Sequence, residues 1–222
     1  MTDTMLVLRD ARDEESASSA GGAAEPAAFT NVLVGVDGTS TGRDAIALGE
    51  MLRHRNGRLT LAHVVFAEAP SYRNFHSTPR WKRVRKMLER EREAAGVSAD
   101  LTGMFAPSVG SGLHQLVEDR AADLLVIGSC QRGFFDRLFR GDDTRGSLSR
   151  ASCTVAVAPD GYATRSQRID TIGVAYNGTP ESDSALAAAQ SLAVRDRAAI
   201  RAMTAVWPTG LSVVAGIGLT TL

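Results

Sequence analysis

Two short stretches carry the residues whose types and spacing could do chemistry. One is Leu-Leu-Val-Ile-Gly-Ser at residues 124–129, which runs on into a Gly- and Arg-rich segment reaching Thr144. The other is Val-Leu-Val-Gly-Val at 32–36, followed by Asp37-Gly38-Thr39-Ser40. Each apolar run reads as a buried strand whose carboxyl end opens into a turn. Two such ends offer a carboxylate and backbone N–H groups to a ligand, and the glycines let a ligand approach the backbone. Catalysis has little to draw on. No Ser/His/Asp set, metal motif, Walker A lysine or dinucleotide Gly-x-Gly-x-x-Gly stands in a suitable context.

The elements that must position these ends follow from periodicity. After the first strand, residues 41–53 read as a helix with Ala45, Ile46, Leu48, Gly49 and Leu52 on its apolar face, stopping near Asn56-Gly57. Residues 59–66 are the second strand, parallel to the first by the right-handed crossover rule. An irregular stretch, 71–79, leads to Arg80, Lys82, Arg83, Arg85 and Lys86. Trp81, Val84, Met87 and Leu88 recur there at helical spacing, so a crossover helix with a solvated basic face outweighs a nucleic-acid helix. Gly96 is its expected stop. A third strand at 98–105, a helix at 112–120 with Leu113, Leu116 and Val117 inward, the strand at 124–129 and a fifth strand at 153–158 complete the series. This is a doubly wound, Rossmann-like α/β pattern: a five-stranded parallel sheet of order 3-2-1-4-5. Its switch point, where a ligand belongs, lies between the strands ending at Asp37 and Gly128.

Composition sets the bounds. The chain has 222 residues and no net charge, which gives no global reason for nucleic acid or an anionic membrane as partner. Two cysteines, Cys130 and Cys153, match neither a disulfide framework nor a zinc pattern, so a reducing cytoplasm is expected. No signal peptide or membrane-length apolar run is evident. Residues 1–28 hold six carboxylates (Asp3, Asp10, Asp13, Glu14, Glu15, Glu25) against Arg9 and Arg12, a composition expected to stay disordered.

With these residues in place the chain resembles the universal stress protein family from about Asn31 to Pro159. The resemblance rests on Val-Leu-Val-Gly-Val-Asp-Gly, on His63-Val64 in the second strand, on Ala-Asp-Leu-Leu-Val-Ile-Gly-Ser, and on a final strand opening at Cys153. A second copy begins with Ile-Gly-Val-Ala-Tyr-Asn-Gly-Thr at 172–179, then a helix at 182–192 and a strand at 200–206. The expected division is an acidic tail at 1–28, a universal stress protein-like domain at 29–160, a linker at 161–168 and a truncated second copy at 169–222. That extra partial βαβ repeat cannot bury both faces of its sheet alone. It should pack on the first domain or on a second subunit, or be poorly ordered.

The resemblance also implies a site for an adenine nucleotide, ATP with magnesium, at the ends of strands one and four. Nucleotide-binding members carry Gly, two residues, Gly, nine residues, then Gly and Ser or Thr. Here Gly128 and Gly141 fit the first and third positions, but Gln131 stands at the second and Asp142 at the hydroxyl position. A carboxylate there caps the following helix and repels phosphate. Arg132 and its neighbours Arg137, Arg140 and Arg145 counter that charge, Thr144 can replace the hydroxyl, and a divalent cation can bridge Asp142 or Asp143 to phosphate. Asp37 matches the acid that contacts adenosine in the family, although capping the first helix would also account for it. The implied binding residues are Val36, Asp37, Gly38, Val64, Gly128, Ser129, Gln131, Arg132, Gly141, Asp142 and Thr144. Asn177, the counterpart of Asp37, keeps the turn without the charge.

Two functions remain open. One is a cytoplasmic, non-enzymatic stress-response protein that binds an adenine nucleotide and acts through a homodimer, through pairing with its own second copy, or through a regulatory protein partner, with neither nucleic acid nor membrane involved. The other is a nucleotide-free interaction module with a degenerate phosphate loop.

Overall fold

The structure is a computed structural model that describes residues 29–67, 76–129, 153–165 and 168–205. In chain order the elements are β1 (Phe29–Gly35), α1 (Ser40–Leu52), β2 (Arg53–Phe66), α2 (Pro79–Ala95), β3 (Asp100–Ala106), α3 (Val109–Arg120), β4 (Leu124–Gly128) and β5 (Thr154–Ala158). A 3-10 turn at Tyr162–Thr164 leads to β6 (Thr171–Ala175), α4 (Pro180–Asp196) and β7 (Ala199–Met203). The first five strands form one sheet in the order β3-β2-β1-β4-β5, all parallel. This is the expected order.

Alternation along β1 sorts the core into two layers. Val32, Val34 and Val36 join Ile46, Leu48 and Leu52 of α1 and Val84 and Leu88 of α2. Leu33 faces the other way, with Ala62, Val64, Leu125 and Ile127, against Leu113, Leu116 and Val117 of α3. Asp123 fixes β4 beside β1: its two carboxylate oxygens accept from the Thr30 N–H and hydroxyl, both at 2.8 Å, and from the Asn31 N–H at 3.0 Å. The two strand ends named above therefore become neighbours.

Asn56-Gly57 is not the stop of α1. The helix ends at Leu52, and Arg53 turns directly into extended backbone (φ −66°, ψ 140°), so no left-handed glycine is needed. Asn56-Gly57 instead lies inside β2, where the register jumps from Phe29↔Arg53 to Asn31↔Arg58. A β-carbon at Gly57 would stand 3.0 Å from the carbonyl oxygens of His54, Phe29 and Thr30, which is why this irregularity holds a glycine. Helix α3 starts at Val109, ahead of the expected Gly112, because the Ser108 hydroxyl accepts from the Ser111 N–H at 3.0 Å and caps it. Helix α2 matches its pattern: Val84 and Leu88 are buried, Arg80, Lys82, Arg83, Arg85 and Lys86 are exposed, and Gly96 closes it at φ 64°.

Strands β6 and β7 form a separate two-stranded parallel sheet crossed by α4. Ile172 and Val174 of β6 and Ala189, Leu192 and Ala193 of α4 share one buried cluster with Ala45, Leu48, Leu52 and Tyr162. Arg195 of α4 donates to the Leu52 carbonyl at 3.4 Å. The opposite face of this small sheet, with Thr171, Gly173 and Ala175, is exposed.

Candidate functional site

The turn after β1 is built around the Asp37 carboxylate. Its Oδ1 accepts from the Thr39 N–H at 3.0 Å and the Thr39 hydroxyl at 2.7 Å, and that hydroxyl lies 2.9 Å from the Thr41 hydroxyl. This corrects the capping role expected for Asp37. The N-cap of α1 is Thr39, with no side-chain cap bond, and Asp37 folds the turn that precedes the helix. Oδ2 of Asp37 has no hydrogen-bond partner among the described residues, and the side chain is exposed. Gly38 holds φ 82° beneath Met87 of α2. Across the strand end, His63 Nδ1 lies 2.7 Å from the Val36 carbonyl oxygen. A carbonyl only accepts, so Nδ1 is the donor of this bond.

The end of β4 departs from the expectation of open backbone donors. The Ser129 N–H donates to the Ala158 carbonyl at 2.8 Å, extending the pairing with β5. Gly128 packs against the first turn of α1, where a β-carbon would stand 2.2 Å from the Thr41 carbonyl oxygen. Close packing of strand and helix thus requires this glycine before any phosphate is considered. The remaining predicted residues, Gln131, Arg132, Gly141, Asp142 and Thr144, and with them Cys130, lie outside the described residues.

A cleft of about 210 Å³ opens at these strand ends. It brings together four of the predicted residues, Val36, Asp37, Val64 and Gly128, with Gly35, Thr41, Gly42, Ala62, His63, Val109, Leu113 and Ile127. Gly38 and Ser129 do not line it. None of the other eight lining residues was among the binding residues expected from the sequence. Gly42 carried a signal, since a β-carbon there would stand 3.0 Å from Asp37 Oδ1 and disturb the turn. Apolar walls beside one free carboxylate oxygen suit a flat ring system bearing hydroxyl or amino donors. Among the described residues no group of three His, Cys, Asp or Glu could hold a metal ion. Cys153 lies away from this cleft; burial pushes its thiol up to about 11, which keeps it protonated and inert.

The end of β6 repeats this wiring without the charge. Asn177 Oδ1 accepts from the Thr179 N–H at 3.2 Å and hydroxyl at 2.9 Å, and the Thr204 hydroxyl donates to the Tyr176 carbonyl at 2.6 Å, as His63 does to Val36. The Tyr176 hydroxyl is taken by Asp183 at 2.8 Å, a bond to the neutral phenol that raises its pKa.

Solved structures similar to this chain include a universal stress protein in complex with cAMP, 22% identical over 61% of this chain and all of that one, with a TM-score of 0.43. A universal stress protein from Lactobacillus plantarum is 20% identical over 60% of this chain and 99% of its own, at 0.41. One of the same family from Burkholderia pseudomallei is 21% identical over 59% and 96%, at 0.39. The model of the universal stress protein family matches residues 28–159, more than half of the sequence, and the chain belongs to that family.

Proposed function

We propose that this chain is a stress-response protein that takes the nucleoside half of an adenine nucleotide into the Asp37 cleft and works through a dimer or a protein partner, without catalysing a reaction. The observation that carries the reading is the convergence of Asp37 with Val36, Val64 and Gly128 on one apolar cleft. The free Oδ2 of Asp37 is an acceptor for ribose hydroxyls or an exocyclic amine, and Val64, Leu113 and Ile127 offer apolar surface to a base. ATP with magnesium is the form proposed. Its phosphates would belong with Gln131, Arg132, Gly141 and Thr144, and the ion with Asp142. A cytoplasmic location goes with this reading; no helix among the described residues is long and apolar enough to cross a membrane.

The unit from Arg168 onward reads as a partial second copy. Its support is the matched wiring: Asp37 with Asn177, Thr39 with Thr179, His63 with Thr204, and the 2.8 Å bonds from the Val36 N–H to Ala62 and from the Tyr176 N–H to Met203. Without a carboxylate at Asn177 this copy binds no nucleotide, and its buried face serves to cover α1.

A second reading, a nucleotide-free interaction module, is favoured by one observation. Gly128 and the Ser129 N–H are both accounted for by packing against Thr41 and pairing with Ala158. Native mass spectrometry of gently purified full-length protein separates the two. Adenine nucleotide carried through purification and lost in Asp37→Ala supports the binding reading. Protein free of nucleotide that stays free after incubation with ATP and magnesium supports the module.

A further inference from the structure

A second cavity, of about 330 Å³, lies between edge strand β3 and helix α3, apart from the Asp37 cleft. Its walls include His76, Thr102, Gly103, Gln115, Asp119 and Arg120. Arg120 ends α3 and is held in place from behind, because its carbonyl accepts from Asn31 Nδ2 at 2.5 Å. Arg120 is half-buried, and its guanidinium donates to the Thr102 hydroxyl, a neutral partner, at 2.9 Å.

The wall of this cavity carries one cation, Arg120, and one carboxylate, Asp119. The one carboxylate of the wall, Asp119, is exposed and accepts from Gln115 Nε2 at 3.0 Å, and no ion pair joins it to Arg120 among the described residues. Beside them, burial and the charge of Arg120 push His76 toward its neutral form. A guanidinium has five donors in a planar fork, and one bond to a hydroxyl leaves most of them for an acceptor that can take two in parallel. Carboxylate and phosphate oxygens are such acceptors. The Thr102 hydroxyl accepts from Arg120 and keeps its own proton for a second partner, and the backbone at Gly103 has no side chain to obstruct an approach.

We propose that the Arg120–Thr102 cavity is a second ligand site, for a small molecule carrying a carboxylate or phosphate group. Arg120 supplies the charge and the fork, Thr102 a hydroxyl donor, and Gln115 the facing polar wall. The bland account of Arg120 is a cation that favours the C-terminal end of α3 through the helix dipole. That account explains its position in the helix but not a cavity of this size around its head group.

The test is a titration of isotope-labelled full-length protein, followed by amide resonances of Thr102, Gly103 and Gln115, with inorganic phosphate in one arm and acetate in the other. Saturable shifts at these amides are expected, and the arm that saturates first identifies the head group. Arg120→Gln should weaken the response about tenfold or more, and Arg120→Lys, which keeps the charge without the fork, should fall between. Gln115→Leu, which leaves the Arg120–Thr102 bond intact, provides a second variant should Arg120→Gln fail to fold, and it too should weaken binding. Shifts that grow linearly without saturating, or that are unchanged in both Arg120→Gln and Gln115→Leu, would overturn the proposal. None of these readouts involves Asp37, so failure here leaves the nucleotide reading standing.

Discussion

Gly128 and Thr41 meet so closely that a β-carbon on Gly128 would stand 2.2 Å from the Thr41 carbonyl oxygen. The neighbour is backbone in the first turn of α1, and it cannot swing aside as a side-chain tip would. The end of β4, the start of α1 and the Asp37 turn are therefore one rigid corner, and the cleft inherits its shape from their packing.

Gly128→Ala should accordingly destabilise the fold by about 3 kcal/mol, the upper range for overpacking against an unyielding neighbour. Urea denaturation of the full chain checks this. A loss under about 0.5 kcal/mol, within the range of ordinary surface substitutions, would mean that the corner relaxes freely.

Asp44 is a buried carboxylate, 2% exposed, and it reaches out of α1 to accept from the N–H groups of Gly161 at 2.9 Å and Ala163 at 2.7 Å. It anchors the turn that leaves β5. Asp44→Ala strands two donors and should cost about 2–4 kcal/mol. In hydrogen exchange, the amides of Gly161 and Ala163 should lose protection ahead of β1.

The Cys153 thiol, raised by burial from 9.0 to about 11, makes stability fall at high pH. The unfolded chain releases this proton first, so between about pH 9 and 11 the folded state loses about 1.4 kcal/mol per pH unit. Below pH 9 the term is fully present. In a Cys130→Ser background, a thiol reagent at neutral pH should react only at the rate of unfolding, and fast labelling of native protein would contradict the burial of Cys153.

Leu192 of α4 is 1% exposed in the cluster it shares with Leu48 and Leu52 of α1. Leu192→Ala should cost about 2–5 kcal/mol. With Trp207→Phe as background, Trp81 of α2 reports on the first sheet, and its unfolding midpoint should move with the loss. If Trp81 does not move, the small βαβ unit unfolds on its own.

Much of this was legible from pattern alone. The strand order needed only the alternation of apolar runs and helices with the handedness rule, and the inward faces of α2 and α3 followed from Val84, Leu88, Leu113, Leu116 and Val117. What escaped depended on partners far away in the chain. Asn56-Gly57 looks like a helix stop locally, yet its place in β2 is decided by the carbonyls of Phe29 and Thr30. The burial of Asp44 and Glu91 is equally hidden, because their partners at Gly161, Ala163 and Arg43 are set by tertiary packing. At the site, Asp37 could be singled out by residue type, whereas the use of the Ser129 N–H by Ala158 depends on how far β5 runs alongside β4.

The central claim, that the Asp37 cleft takes the nucleoside half of an adenine nucleotide, is tested most directly by calorimetric titration of nucleotide-stripped full-length protein with ATP and magnesium, in wild type and in Asp37→Ala. The account predicts saturable binding to the wild type and an affinity about tenfold to a hundredfold weaker in the variant, the cost of losing a hydrogen bond to a charged acceptor. Binding of equal strength in Asp37→Ala, or no binding heat at millimolar nucleotide in the wild type, would contradict it.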